Sequence, residues 1–344
     1  MANIVRDVFE ILRIAGARGA AMLLARSNRL RESARPFIAV NALIALEKHD
    51  LNRALLSEAG LELSARTDLD PSSLSAICEY LYEIGVLERP RPGVFRARKR
   101  RRFEAVLDAV HGCHAYQAPI QELARLLSGE FAYGRDVARD DRYDAIASAT
   151  LTSVFSYGFS HAVLRRSGAS SLMDLGCGTG EYLAFLGSRG LPGPLYGVDL
   201  SEEAIAEGKR RGFESERVRL VAGDLFDLEK LAVEARVPRV DVVSFMFVLH
   251  EFEDAQVQAI LASVRRAQPT ARILLTELAD RPSDEIAATR RTVFPELKFV
   301  HRLSRQVLRT PARWTELFSL AGYRVALVAE NGLTNHVCLC FAAN

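Results

Sequence analysis

The chain has 344 residues, 49% of them apolar and 26% charged, which suits about two soluble globular domains with full cores. Forty-five Lys and Arg against 43 Asp and Glu leave a net charge of +2, so no global field draws it to nucleic acid or an anionic membrane. No apolar run matches the ~18–20 residues of a bilayer span, the start MANIVRDVFEILRIAG lacks a signal-peptide plan, and five cysteines without a CxxC pair disfavour a disulfide scaffold. The expectation is a reduced, cytoplasmic enzyme whose partners are neither nucleic acid nor membrane.

Residues 1 to about 95 read as several short helices. Asp70-Pro71-Ser72-Ser73 is a helix start, with a capping Asp and Pro in the first turn. Leu74, Ile77, Leu81 and Ile84 then share one face, and Gly85 ends the helix. VLERPRPGVFRAR follows as a Gly/Pro-tipped hairpin, completing the winged-helix order of helix, helix, hairpin. The basic run Arg96 to Arg102 invites a DNA reading, but SSLSAICEYLYEIG, in the place of a recognition helix, has two Glu and neither Arg nor Lys. A dimerisation module over residues 1–100 is the better expectation, with a homodimer as its consequence. Residues 101–167 read as a helical linker that contributes to a substrate pocket.

From Ser170 the period changes. SLMDLG, PLYGVDL, VRLVAGD, DVVSFMFVL, ARILLTEL, YRVALVA and HVCLCFA are short apolar runs with helical stretches between the earlier ones. That alternation predicts an α/β fold, a Rossmann-like seven-stranded sheet over 168–344 whose last two runs, joined by ENGLTN, form a terminal hairpin. After the first strand comes Asp174-Leu175-Gly176-Cys177-Gly178-Thr179-Gly180, where glycines let the backbone turn sharply and approach a ligand. The spacing is GxGxG, and Glu181 would sit badly beside a pyrophosphate. Asp199 ends the second strand, 25 residues after Asp174, where a carboxylate can accept both ribose hydroxyls. Asp224 ends the third, where it can accept from an exocyclic amine.

In order and spacing these residues resemble the class I S-adenosylmethionine-dependent methyltransferases. The resemblance implies that Gly176, Gly178 and Gly180 cradle the methionine part, that Asp174 lies near its ammonium, and that Asp199 binds ribose. It also implies that Asp224 with Leu225 or Phe226 binds adenine.

The whole chain resembles the small-molecule methyltransferases with a winged-helix dimerisation domain, whose fourth strand ends in HDW followed by an acid. Here that place holds Phe247-Val248-Leu249-His250-Glu251-Phe252. In the O-methyltransferases of that group the histidine is a general base, and His250 matches it. FVHRLSRQ, with His301 51 residues further on, is instead similar to the α-keto acid C-methyltransferases, in which histidines of these two regions hold a metal that chelates a 2-oxo acid. That resemblance implies transfer to the β-carbon of a small 2-oxo acid of the 2-ketoarginine or arylpyruvate type. Iron or zinc on His250 and His301 would stabilise the enolate. Glu251 could serve as base or position a water, Arg135 could pair with the substrate carboxylate, and Tyr116 and Gln117 could line the pocket. The alternatives are metal-free O- or S-methyl transfer to a phenol, hydroxy acid or thioether acid, with His250 as base or positioning residue, and a non-catalytic winged-helix regulator that senses S-adenosylmethionine.

Overall fold

The computed structural model describes residues 2–234, 237–289, 294–331 and 336–343. Two compact units are present, one of residues 1–115 with 141–147 and one of residues 116–140 with 148–344.

The first unit opens with one helical run, Ala2–Glu47, where the sequence reading expected several short helices. Gly16, at φ 67° and ψ 172°, divides that run into two helices that meet at a kink, and Pro36 sits inside the second. Its described side chains are mostly exposed, Ile14, Met22 and Phe37 among them, until Ala42, Leu43, Ile44 and Leu46 enter the core. Helix Leu51–Leu56, strand β1 (Leu61–Glu62) and helix Pro71–Glu83 follow. The Asp70 carboxylate accepts the Ser73 N–H at 2.7 Å, the cap that the sequence predicts. Leu74, Cys78 and Leu81 form the buried stripe. Strands β2 (Leu87–Arg91) and β3 (Val94–Ala97) form the expected hairpin, and β1 adds to its free side in the order β1-β3-β2. Helix Arg100–Ala115 covers this core with Phe103, Leu107 and Val110.

The second unit is built on a seven-stranded sheet. Its strands are β4 (Leu172–Leu175), β5 (Leu195–Asp199), β6 (Val218–Ala222), β7 (Val242–Met246), β8 (Arg272–Leu278), β9 (Tyr323–Asn331) and β10 (His336–Ala343). The order is β6-β5-β4-β7-β8-β10-β9. The first five are parallel, and β10 inserts antiparallel between β8 and β9. The expected terminal hairpin is therefore present, although most of its ENGLTN turn lies outside the described residues. Side chains alternate across the sheet as the pleat requires. Met173, Leu175, Val243, Phe245, Ile273 and Leu275 pack on helices Asp254–Ala267 and Pro311–Leu320. Leu172, Leu195, Leu220, Val242 and Leu274 face the opposite layer, which holds helices Tyr157–Arg166 and Glu181–Ser188. Chain order reverses at β4, which lies between β5 and β7, and the carboxyl ends of the strands at such a switch point form a natural crevice for a ligand. No helix among the described residues is long and apolar enough to cross a membrane.

Candidate active site

The glycine loop joins β4 to helix Glu181–Ser188 and turns through three left-handed glycines, Gly176, Gly178 and Gly180, at φ 75°, 55° and 82°. They are not equivalent. A Cβ on Gly176 would come within 2.5 Å of Val248, and one on Gly180 within 2.6 Å of Leu220, so these two let the loop pack on its own protein. Beyond Gly178 the same position opens on empty space. Gly178 is thus the member that offers bare backbone to a ligand. Its N–H donates to Asp199 Oδ2 at 2.7 Å while Ser201 N–H donates to Oδ1 at 2.9 Å, which fixes the carboxylate at the tip of β5.

Asp174 lies beneath the loop, 2% exposed, and accepts the Ser244 hydroxyl at 2.5 Å from the paired position on β7. Burial lifts its pKa to about 7 against the pull of the Ser244 bond, and the neighbouring charge of Asp199 adds to the rise. Asp224 caps the turn after β6 by accepting the Phe226 N–H at 2.9 Å. Leu225, expected as an alternative adenine contact, is instead a core residue packed with Leu228 and Val243; Phe226, half-exposed and edge-on to Phe252, is the ring available to a base. Open backbone at Gly178, carboxylates at the tips of β5 and β6 and an exposed ring fit an adenosyl sulfonium amino acid.

Beside this crevice the chain leaves β7 through Phe247, a non-glycine residue at φ 56° whose N–H donates to Thr276 O at 2.9 Å. A left-handed conformation here is strained and is held by its surroundings. It aims three successive amides, Val248, Leu249 and His250, at one oxygen of Glu277, at 3.1, 2.9 and 3.3 Å. Glu277 sits on β8 with no exposure, and its other oxygen takes the His250 Nδ1–H at 2.8 Å. Four N–H groups thus converge on this one carboxyl group. Burial alone would depress the His250 pKa, but the charge and hydrogen bond of Glu277, helped by Glu251, outweigh it and raise the pKa above 6.5. Nδ1 keeps the proton, so the lone pair of the neutral ring is on Nε2.

His301, on helix Phe294–Leu303, stands edge to face with His250, ring centroids 5.1 Å apart. Its Nδ1–H donates to Leu297 O at 2.6 Å. Burial, then the adjacent His250 charge, lowers its pKa to about 4, so it is neutral at physiological pH with its lone pair on Nε2. Helix 294–303 ends at Arg305, at φ 62°, and from there Gln306 N–H donates to His301 O and Val307 N–H to His250 O, at 2.8 and 2.7 Å. The two histidines that the sequence reading paired as metal ligands thus stand side by side.

Three other assignments are corrected. Arg135 is 71% exposed and paired with Asp136 at 2.7 Å; the arginine that reaches this cluster is Arg139, 17% exposed and 3.0 Å from Glu251. Glu251 is a poor base. Burial works against its charge, yet His250, Arg139 and hydrogen bonds from Arg139 and Gln306 hold its carboxyl below the usual range. The expected iron or zinc finds no support: both imidazoles keep Nε2 lone pairs, but the carboxylates beside them, Glu251 and Glu277, are held by other donors and complete no ligand set. No group of three or more His, Cys, Asp or Glu among the described residues is placed to hold a metal. Tyr116 is buried and Gln117 half-buried at the start of helix Gln117–Gln121.

Sequence reasoning missed Glu277, Arg139, Gln306 and Arg309. The signal for Glu277 was a lone acid in the apolar strand ILLTEL. Arg309, 3% exposed, donates to Leu249 O, Phe252 O, Val307 O and Asp254, and so staples the histidine turn to the segment after His301.

Comparison with known proteins agrees with this picture. Residues 172–268 match the family described as "methyltransferase domain". No curated protein matches the sequence. Among solved structures the chain is similar to LaPhzM at 20% identity and TM-score 0.67, over 93% of this chain and 99% of that one. The mitomycin 7-O-methyltransferase MmcR matches at 20% and 0.64, over 95% and 100%. Human N-acetylserotonin methyltransferase, solved with S-adenosylmethionine, matches at 17% and 0.61, over 93% and 98%. Identities this low speak for the fold. Residues 172–268 thus form a methyltransferase domain, and with the glycine loop and the strand-end acids at the carboxyl edge of one sheet the chain is an S-adenosylmethionine-dependent methyltransferase.

Proposed function

We propose that the enzyme methylates a hydroxyl oxygen of a small ring-bearing molecule, with His250 as general base. The observation that carries this is the buried His250–Glu277 pair, which holds the imidazole in one tautomer and leaves Nε2 as the proton acceptor. When bound, S-adenosylmethionine supplies an electrophilic methyl on its sulfonium. Asp199, Asp224, Phe226 and the Gly178 backbone would hold it, and His250 Nε2 takes the hydroxyl proton as the oxygen attacks. Glu277 steadies the imidazolium that forms. A thioether needs no base, so this pair favours a hydroxyl acceptor over sulfur. The 2-oxo acid reading needs a metal-stabilised enolate, and the donors present do not make up a metal set. Arg139 is already paired with Glu251, so the proposal specifies a neutral hydroxyl rather than an acid substrate. The solved structures similar to this chain include one titled a 7-O-methyltransferase, in keeping with transfer to oxygen.

The test is transfer from labelled S-adenosylmethionine to a panel of hydroxyarenes and 2-oxo acids, for the wild type and His250→Ala. The variant should lose roughly 10²–10⁴-fold in kcat/KM while its donor Kd stays unchanged. Full activity in the variant, or wild-type turnover confined to 2-oxo acids and abolished by chelator, would overturn the reading.

A further inference from the structure

The reaction proposed above uses one imidazole, and the site holds two. Each is fixed in the same tautomer by its own acceptor, Glu277 for His250 and the Leu297 carbonyl for His301. Each is also locked through the backbone, since Gln306 N–H binds His301 O and Val307 N–H binds His250 O. Asp50, Phe247 and Arg305 are the three left-handed non-glycine residues among those described, and two of them bracket this pair. Strained backbone persists where packing over-determines it, commonly at functional sites. Nothing in the proton transfer from one hydroxyl calls for a second neutral ring 5.1 Å from the first.

We propose that His301 Nε2 is a second hydrogen-bond acceptor for the substrate, selecting molecules with another donor, O–H or N–H, on the ring atom next to the reacting hydroxyl. This rests on the hydroxyl reading. His250 takes the proton of the group that is methylated, and His301 holds the neighbouring donor without removing its proton, which fixes which of the two groups faces the methyl. A substrate lacking the second donor leaves the half-buried His301 acceptor unpaired, and a site built for a hydrogen bond rejects analogues that cannot make it.

The experiment uses the full chain with ¹⁵N-labelled histidine, loaded with S-adenosylhomocysteine. It is titrated with matched arenes of one, two and three rings, each as a vicinal dihydroxy compound and its monohydroxy analogue. Turnover of the same compounds is measured in parallel with labelled S-adenosylmethionine. The proposal expects both Nε2 resonances to move with a vicinal compound and only that of His250 with its analogue. His301→Leu should reduce the ratio of kcat/KM for the vicinal compound to that for its analogue roughly three- to tenfold. Turnover without any shift at His301 Nε2 would keep the hydroxyl reading and overturn this one. Shifts at both rings without methyl transfer would support the second acceptor and overturn hydroxyl transfer. No shift and no turnover across the panel would remove both. Stoichiometric zinc capture at the two Nε2 atoms, with chelator-sensitive activity, would also overturn the proposal.

Discussion

Glu277 holds His250 in one tautomer, and this geometry makes the proposed role of His250 as base testable. In Glu277→Gln the amide oxygen can keep the three backbone N–H bonds, which turns the amide N–H₂ toward His250 Nδ1. Nδ1 must then accept, the proton moves to Nε2, and the base is lost. Single-turnover rates should fall by roughly 10²-fold or more with donor affinity unchanged. The wild-type pH profile carries the same signature. A base works only when neutral, so kcat/KM should rise with pH along a one-proton curve with its midpoint above 6.5. A profile flat from pH 6 to 9, with unchanged rates in the glutamine variant, would exclude the His250–Glu277 couple from catalysis.

At the scale of the element, the glycine loop shows that one motif can do two jobs. Gly176→Ala sets a methyl against Val248 at a residue of φ 75°, a structural fault expected to cost about 2–4 kcal/mol and to lower Tm. Gly178→Ala meets no protein atom and carries only the left-handed penalty of about 1–2 kcal/mol, but it fills the space left for the donor. Calorimetry should find the larger loss of stability in Gly176→Ala and the larger loss of S-adenosylmethionine affinity relative to stability in Gly178→Ala. The reverse order would mean that the donor does not lie over Gly178. The position of this loop was legible in the sequence because strand, turn and helix are local patterns. Its division of labour was not, because Val248 and Leu220 come from distant segments. The helical run Ala2–Glu47 is longer than the short helices expected there, because helical spacing marks a helix without fixing where it starts.

Across the whole molecule two buried groups pull acid stability in opposite directions. Unfolding lets His301 take up a proton between pH 6.5 and about 4, so its contribution to stability is lost as pH falls through that window. Asp174 does the opposite. Its raised pKa means that the folded state holds the proton, and its contribution, present below 3.8, is lost as pH rises toward about 7. Each effect is on the order of 3 kcal/mol, so the two largely offset one another between pH 4 and 6.5. Urea unfolding should show Asp174→Asn gaining stability with pH more steeply than wild type over that range, and His301→Asn less steeply. Parallel curves for all three proteins would show that neither group is perturbed in the fold.

The sequence by itself determined the seven-strand alternation, the donor loop and the acids at the ends of β5 and β6, because these depend on periodicity and on residues a few positions apart. It also brought His250 and His301 into one place, through resemblance. Only the tertiary structure decided which groups hold them. Glu277 lies 27 residues beyond His250, Gln306 55 beyond Glu251, and Arg139 112 before it. Each becomes a partner only because parallel strands and their crossovers bring separate segments to the same edge of the sheet. Metal ligand, base and substrate contact share one residue alphabet. Which of these a histidine becomes is set by the groups the fold brings around both of its nitrogens, a matter of a few ångströms in space rather than of order along the chain.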